Sequence, residues 1–414
     1  MTGSLLQLVA NGAQDQYLTG NPQITFFNVV YKRHTNFAME AISQTFDGTI
    51  EAGGKISSKI SRKGDLIYNC WLDVDITTDG SNVCYGLSII DYIELTIGNQ
   101  LIDKHYYRWL HAYFSSMVNG DDSECYDTLQ YIHNSSNQQQ IKIPLIFWFC
   151  RNPGLALPII ALDYHNIHIN FQFNNLLSKS AGTESYTLNN AKLWCNYIYL
   201  DKDERRRFKE VKHEYLIEQV QYQKDTLTPS DTQNEVTSTI ELKFSHPVKY
   251  LIWYMGLDKI GDTISTSNAN NIFLTKGQLV MNSLDRFQEQ DGDYFKHTQF
   301  YQSGLSNEYN NNYKKSYNYL YNTTASNGIQ SIENYGTINI HISPLYYLYS
   351  FALKPKNHQP SGTCNFSRID KVDIILKHLC QNVTTTATST LHMFAINYNV
   401  FRIECGMGGL AYSN

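Results

Sequence analysis

Apolar and polar side chains alternate with a period of two along several stretches of this 414-residue chain. In LIYNCWLDVDIT the positions on one face are Tyr68, Cys70, Leu72, Val74 and Ile76. The other face carries Trp71, Asn69, Asp73 and Asp75. The same period recurs in STIELKF, VKYLIWYM and TINIHI, which begin at Ser238, Val248 and Thr337. A period of two is that of a half-buried β-strand, and turn-rich spacers separate these runs. The pattern therefore predicts a mainly antiparallel all-β protein.

Two pairs of segments repeat at nearly the same spacing. IPLIFWFCRNP, from Ile143, resembles SPLYYLYSFALKP, from Ser343. KLWCNYIYL, from Lys192, resembles HMFAINYNVFRI, from His392. The prolines of the first pair are 200 residues apart and the asparagines of the second are 201 apart. This shared register indicates two copies of one β-sandwich module.

The apolar stretch Ile143–Leu162 is long enough to span a bilayer. However, Arg151 would lie near its centre, and Pro144, Pro153 and Pro158 would each disrupt a spanning helix. We therefore expect two buried strands joined by the Arg-Asn-Pro-Gly turn.

Composition and charge limit the classes of function. The chain has 31 Tyr, 19 Phe and 5 Trp, which favours strands over helices, and its 42% of hydrophobic residues can form substantial cores. Its length predicts two to three domains. Lys and Arg total 33 against 38 Asp and Glu, so the net charge gives no general attraction to nucleic acid.

The eight cysteines have no metal-site spacing, because the closest pair, Cys70 and Cys84, are fourteen residues apart. The N-terminal MTGSLLQLVANGAQDQYL lacks the basic start and long apolar core of a secretory signal. We expect a cytosolic product with reduced thiols.

The densest run of charge, DKDERRRFKEVKHE, covers Asp201–Glu214 and marks the expected boundary between the modules. Arg205, Arg206 and Arg207 could form a phosphate or nucleic-acid clamp. The acidic residues of the same run neutralise much of their field, which favours a solvated linker.

Three groups of residues are candidate metal ligands. His165 and His168 are three apart, so on a strand they point to opposite faces. Asp73 and Asp75 share a strand face, but no phosphate-binding loop accompanies them. Asp291–Asp293 resembles the start of a calcium loop whose other ligand positions are missing. We predict no metal site.

The segment HQPSGTCNFSRID, His358–Asp370, contains the residue types of an active site. Cys364 and His358 could form a nucleophile and base, but no evident oxyanion hole or orienting group lies nearby in the sequence. Pro360 and Gly362 are what a chain corner requires. We predict a structural corner, and no catalytic or cofactor-binding residue in the chain.

Five segments match a known pattern in order along the chain: Gly12–Ile42, Leu157–His165, Leu200–Phe208, His358–Asp370 and Asn397–Asn414. They include TGNPQITFFNVVYKRHTNFAMEAI, LPIIALDYH, LDKDERRRF and NYNVFRIECGMGGLAYSN. These segments resemble the major capsid protein of nucleocytoplasmic large DNA viruses. The chain departs from that family in lengths and in loops such as Ser303–Asn334.

The resemblance implies a double jelly roll: two tandem eight-stranded antiparallel sandwiches, with short helices in the loops and linker. We expect an N-terminal arm at 1–27, a first jelly roll at 28–200, a linker at 201–214 and a second jelly roll at 215–414.

The resemblance also implies a structural protein of the virion, made and assembled in the host cytoplasm, and not an enzyme. Its members form homotrimeric, pseudo-hexagonal capsomers that tile an icosahedral shell. The implied partners are other copies of the chain, neighbouring capsomers and minor capsid proteins, with the inner viral membrane near the N-terminal arm; no cofactor or direct nucleic acid is expected. Two alternatives stay open, a minor double jelly-roll capsid component and a glycan-binding jelly-roll protein.

Two polar insertions, Gln302–Gln330 and Asn119–Gln140, are expected to form outer loops on the same side of the capsomer. Their Asn and Tyr residues suit contacts with a host receptor or glycan. N-glycosylation sequons occur at Asn134, Asn322, Asn365 and Asn382. A cytosolic route would keep them from the usual glycosylation machinery.

Overall fold

The computed structural model describes residues 3–78, 86–117, 132–134, 138–179, 182–228, 234–256, 272–305, 346–380 and 389–412. The chain divides into two compact units, Met1–Phe37 and Ala38–Asn414. The smaller unit contains helices α1 (Gly3–Val9) and α2 (Gln16–Thr19). Its large apolar side chains are exposed, including Leu5, Leu6, Leu8, Val9, Tyr17, Leu18, Phe26 and Phe27.

Antiparallel strands are the main secondary structure of the chain. The strands before residue 201 are β1 (Phe37–Gln44), β2 (Lys55–Lys59), β3 (Leu66–Thr78), β4 (Ile90–Ile97), β5 (Gln100–Tyr106), β6 (Ile132–Asn134), β7 (Gln138–Pro144), β8 (Ile167–Phe173), β9 (Leu177–Lys179), β10 (Gly182–Glu184) and β11 (Tyr186–Leu200). The strands after it are β12 (His213–Thr226), β13 (Val236–Glu241), β14 (Pro247–Gly256), β15 (Ile272–Met281), β16 (Leu284–Asp285), β17 (Gln290–Asp291), β18 (Tyr347–Ser350), β19 (Cys364–Asn365), β20 (Val372–Cys380), β21 (Thr390–Glu404) and β22 (Met407–Leu410).

Short helices connect the strands. The α-helices are α3 (Tyr107–Ser116), α4 (Trp148–Arg151), α5 (Lys202–Glu210) and α6 (Gln299–Gln302), and α6 continues a π-helical turn at Tyr294–Thr298. Single 3-10 turns lie at Gly86–Ile89, Pro153–Leu155, Ile159–Ala161 and Phe366–Arg368. None of the helices in the described ranges has the length and apolar content needed to cross a bilayer.

The two halves of the chain have the same strand order. In the first sandwich one sheet has the order β1-β11-β3-β7, with the short β6 added beside β7, and the other has the order β2-β8-β4-β5. In the second sandwich the corresponding orders are β12-β21-β14-β18 and β13-β20-β15-β16. Each sandwich therefore has eight main strands with the connectivity of a jelly roll. The predicted all-β double jelly roll is confirmed, and the 200-residue repeat reflects this duplication.

The alternation predicted for the strand that begins at Leu66 is present in β3. Cys70, Leu72, Val74 and Ile76 are buried, while the residues between them are only partly buried. Strand β11 lies beside β3, and its buried residues Leu193, Cys195 and Tyr197 line the same core.

The prediction of two buried strands over Ile143–Leu162 is wrong. Strand β7 ends at Pro144, and the chain continues through α4 and the two 3-10 turns that follow it. Asn152 begins the first of these turns, and its side-chain oxygen accepts a hydrogen bond from the Gly154 amide at 2.9 Å. Apolar runs of this length do not distinguish strands from buried helical turns, and the prolines here start turns.

The hydrophobic cores are divided unequally between the sandwiches. One cluster contains the inner residues of the second sandwich, such as Leu251, Met393 and Ala395. The larger cluster contains the core of the first sandwich and continues into the second, where it includes Ile252 and Phe394. The two sandwiches therefore share a continuous apolar core.

This sharing buries one sheet on both faces. Along β14 and β21 nearly every residue is buried, whereas β3 and β11 alternate between buried and more exposed positions. The outer face of the β12-β21-β14-β18 sheet packs on the first sandwich, where the Trp109 ring lies 5.9 Å from the Phe394 ring. We call this contact the junction.

Replacing Phe394 with Ala should lower the free energy of unfolding by about 3–5 kcal/mol, because it leaves a cavity at the buried junction. The matched control is Phe27→Ala, at a fully exposed ring in the smaller unit, which should change stability by less than about 0.5 kcal/mol. Urea unfolding followed by tryptophan fluorescence measures both. Equal effects for the two variants would show that the junction contributes little to stability.

Candidate functional site

The corner His358–Asp370 follows β18 and leads into β20. Within it Cys364 and Asn365 form β19, which pairs with Pro247 and Val248 of β14. The Asn365 side chain accepts a hydrogen bond from the Ser367 amide at 3.1 Å. Such a bond from a side chain to nearby backbone is typical of a chain corner.

Gly362 explains the sharpness of this corner. Its φ of +134° lies in a region that L-amino acids rarely adopt, and a Cβ there would lie 2.7 Å from the Phe351 carbonyl oxygen. A side chain at this position would therefore be both strained and in collision with the backbone.

The geometry does not make Cys364 and His358 a catalytic pair. No hydrogen bond joins their side chains within the described residues. Burial raises the pKa of the Cys364 thiol, although Arg286 opposes the shift. An activated thiol requires a lowered pKa, so this environment suits a structural cysteine. Burial lowers the pKa of His358, and Glu218 opposes that shift.

Three of the candidate metal ligands, His165, Asp73 and Asp75, have other partners. His165 Nδ1 is hydrogen-bonded to the Gly408 carbonyl oxygen at 2.8 Å, and His168 lies on β8. Asp73 accepts a hydrogen bond from Gln140 at 3.0 Å. Asp75 accepts one from Asn190 at 3.3 Å.

The remaining metal candidate, Asp291–Asp293, lies at the end of β17, which pairs with β15. Gly292 allows a close approach to the Leu274 backbone. Across the part of the chain that the structure describes, no group of three His, Cys, Asp or Glu residues is arranged to hold a metal ion.

The charged run forms helix α5. Asp201 begins it, and its side chain accepts a hydrogen bond from the Lys202 amide at 2.8 Å. Arg205 forms an ion pair with the buried Asp65 at 2.9 Å, and Asp65 also accepts a hydrogen bond from the Leu200 amide. One of the three arginines thus holds the helix on the first sandwich.

Sequence reasoning missed a buried charge cluster at the junction. Glu218 of β12 binds two cations: Arg151 of α4 at 2.6 Å and Lys249 of β14 at 2.6 Å. The Lys249 ammonium also donates to the Asn357 carbonyl oxygen at 2.8 Å, immediately before the corner described above. The sequence signal was a single charge within each of two apolar runs, IFWFCRNP and VKYLIWYM.

A β-bulge places Lys249 in this cluster. The pairing of β14 with β21 shifts register between Val248 and Tyr250, so Lys249 is the extra residue. Its carbonyl oxygen accepts a hydrogen bond from the Phe351 amide at 3.0 Å. The side chain of Lys249 is completely buried.

The cluster has the electrostatics of a buried ion triad. Burial lowers the pKa of Lys249, although Glu218 opposes the shift. Burial also disfavours the charge on Arg151, but the phenol of Tyr113 and the carboxylate of Glu218 outweigh it and raise the pKa of Arg151. Perturbed pKa values occur both at active sites and in structural ion networks, so they do not decide the role.

A cavity of about 270 Å³ also lies at the junction, between β5 and β12. Its lining includes Gln219, Gln221, His246, Asn397 and Asn399, but none of the three charged residues of the cluster. The cluster therefore does not face this cavity, whose titratable lining residues are Asp103, Lys104, His246 and Tyr412.

Comparison with known proteins gives the family. Residues 25–201 match the family model described as the major capsid protein N-terminus. Residues 204–343 and 335–409 match the model described as the large eukaryotic DNA virus major capsid protein.

Individual relatives and structures agree. The chain is 42% identical to the major capsid protein of Pyramimonas orientalis virus and 37% identical to that of Paramecium bursaria Chlorella virus 1, over the full length of each chain. It is similar to a chain in the quasi-atomic model of the PBCV-1 virus capsid, with a TM-score of 0.76, 32% identity and coverage of 94% of this chain and 100% of that one. The Faustovirus major capsid protein, at 11% identity and a TM-score of 0.66, shares the fold over 95% of this chain and 94% of its own. The chain therefore belongs to the family of large eukaryotic DNA virus major capsid proteins.

Proposed function

We propose that three copies of this chain form a capsomer that tiles the icosahedral shell of a large DNA virus. The observation that carries the proposal is the repeated strand order of the two sandwiches, in a chain whose family builds such shells. Three chains with two similar sandwiches each would place six sandwiches around a threefold axis. The outline would be nearly hexagonal, a shape that packs edge to edge with modest contacts made stable by their number.

The buried charge cluster supports a structural role in this tile. Arg151 belongs to the first sandwich, and Glu218 and Lys249 to the second, so the ion pair of Glu218 with Arg151 crosses the junction and that with Lys249 holds Glu218 in place. Buried charges fix one geometry, because any other arrangement leaves a charge unpaired in an apolar environment. We infer that the cluster sets the angle between the sandwiches, which a closed ring requires to be constant.

We also propose that the protein is not an enzyme. The raised pKa of Cys364 and the missing bond between Cys364 and His358 support this. The division into an arm at 1–27, a linker at 201–214 and jelly rolls at 28–200 and 215–414 is likewise our proposal.

The remaining partners follow from the family resemblance. The exposed apolar residues of the smaller unit support contacts of the N-terminal arm with the inner viral membrane or minor capsid proteins. The proposed outer loops, Gln302–Gln330 and Asn119–Gln140, lie mostly outside the described residues and are proposed to meet a host receptor or glycan. We propose assembly in the host cytoplasm, without direct binding of nucleic acid.

The purified chain should be a stable trimer, with an interface per pair of subunits above roughly 2,000 Å², as in obligate oligomers. Static light scattering at micromolar concentration should give three times the chain mass of 47.7 kDa. A monomer under native conditions would contradict the proposal, and so would a two-fold symmetric dimer.

Replacing Glu218 with Gln should destabilise the protein by about 3–5 kcal/mol, because two buried cations lose their carboxylate. Glu214→Gln is the matched control on the same strand: Glu214 pairs with Arg402 at the surface, so its loss should cost less than about 1 kcal/mol. Thermal and urea unfolding measure both. Equal stability of the two variants would contradict the inference that the cluster sets the angle between the sandwiches.

Replacing Cys364 with Ser should leave the trimer intact and cause no loss of a hydrolase or transferase activity. His358→Ala should give the same result. Gly362→Val should instead impair folding by at least about 1–3 kcal/mol, since valine tolerates neither the backbone conformation nor the close approach. Light scattering and thermal unfolding distinguish these outcomes. Loss of a hydrolase or transferase activity in Cys364→Ser trimers would refute the structural assignment.

A further inference from the structure

The cavity of about 270 Å³ between β5 and β12, here called the junction cavity, combines polar and apolar side chains. Its amides come from strands of both sandwiches: Gln100 of β5, Gln219 and Gln221 of β12, and Asn397 and Asn399 of β21. Leu101 and Leu410 contribute aliphatic surface to the same lining. Cavities that bind small molecules have this composition, in which apolar surface holds the ligand and a few polar groups orient it.

Hydrogen bonds within the protein fix the orientation of these amides. Asn399 Nδ2 donates to Gln219 Oε1 at 2.9 Å, and Gln221 Nε2 donates to Asn397 Oδ1 at 3.0 Å. Gln219 also donates to the Ile102 carbonyl oxygen on the first sandwich. An amide oxygen has two lone pairs, so Gln219 Oε1 and Asn397 Oδ1 can each accept a further hydrogen bond. The cavity therefore presents acceptors that are already held in position.

The charged residues of the lining already have partners. Lys104 forms an ion pair with Glu94 at 2.9 Å. Asp103 is paired with His105 at 2.8 Å, and its other carboxylate oxygen accepts a hydrogen bond from the Val220 amide. An ionic ligand would lose its hydration without gaining an opposite charge of its own. The junction cavity therefore favours a neutral ligand that donates hydrogen bonds.

Tyr412 adds an aromatic ring at the mouth of the junction cavity. It belongs to the lining, and yet it is 63% exposed. Its carbonyl oxygen accepts a hydrogen bond from Asn399 Nδ2 at 2.9 Å, and the neighbouring Ala411 amide donates to the Val400 carbonyl oxygen at 2.8 Å. The backbone that carries the ring is thus fixed against β21.

We propose that the junction cavity binds one neutral sugar residue, the terminal unit of a glycan. A sugar ring has hydroxyl groups that donate hydrogen bonds and a face of C–H groups that packs on an aromatic ring. The hydroxyls would bind Gln219 Oε1 and Asn397 Oδ1, and the C–H face would pack on Tyr412. The size agrees, because cavities for drug-sized ligands measure about 300–1,000 Å³ and a single sugar ring is smaller than such ligands.

This inference goes beyond the proposed function, because it needs neither the trimer nor the outer loops. Saturation-transfer NMR on the full wild-type chain tests it with the methyl glycosides of glucose, galactose, mannose and N-acetylglucosamine. At least one should bind, with a dissociation constant on the order of 1 mM, as expected for so small a ligand. Inorganic phosphate should not compete. Binding by none of the glycosides would overturn the proposal, and so would competition by phosphate.

Two variants place the binding in the junction cavity. Tyr412→Ala should weaken binding by about 5-fold or more, because the ring is lost while the backbone carbonyl that Asn399 holds remains. Leu101→Trp should abolish it, because an indole at this 48% exposed position would occupy the cavity.

Tyr164→Ala is the matched control, at a 77% exposed tyrosine outside the lining, and should bind as the wild type does. Circular dichroism confirms that each variant is folded. Wild-type affinity in Tyr412→Ala and Leu101→Trp would show that the glycosides bind elsewhere and would overturn the assignment. If Leu101→Trp does not fold, Tyr412→Ala still decides it, because that side chain is mostly in solvent.

The sugar could belong to a host surface or to a glycan attached to a neighbouring copy of the chain. A glycan array probed with labelled virions distinguishes these sources. Virions that bind the array directly take the sugar from outside. Virions that bind only after enzymatic deglycosylation already hold a sugar of their own. Virions that bind in neither state would overturn the proposal for the assembled protein.

Discussion

The double burial of the β12-β21-β14-β18 sheet is the constraint on which the larger unit depends. One face of this sheet closes the second sandwich, with Met393 and Ala395 in its core, and the other packs on the first sandwich through Phe394. Neither sandwich can move without exposing apolar area, which costs roughly 25 cal/mol for each Å². The two sandwiches of the larger unit are therefore held together, although each has the strand order of a complete jelly roll.

Charges at the junction make this apolar contact specific for one orientation of the two sandwiches. Hydrophobic packing is tolerant of small rotations, whereas the ion pairs of Glu218 with Arg151 and Lys249 are short and buried. The bulge in β14 introduces Lys249 at the point where Asn357, the residue before the corner, also meets the cluster. The segment with the residue types of an active site thus begins directly after a residue that binds a buried cation.

A protein that tiles a shell needs rigid units and complementary surfaces more than it needs a reactive centre. The continuous core supplies the rigid unit, because it joins the two sandwiches across the junction. The strand order that the two sandwiches share agrees with membership of a capsid protein family.

The sequence by itself determined the strand class, the duplication and the family. Alternation, repeat spacing and motif order can each be read directly from the order of residues along the chain. The faces of β3 were predictable for this reason, but Ile143–Leu162 was not, since a short apolar run fits a strand or a buried helical turn equally well. Arg151 and Lys249 were visible only as isolated charges in apolar runs. Their partner Glu218 is 67 and 31 residues away from them in sequence, so only tertiary packing brings the three together. Only the tertiary structure decided that the β12-β21-β14-β18 sheet is buried on both faces, whereas the sheet of β3 and β11 is buried on one. Burial of an outer face depends on what packs against it.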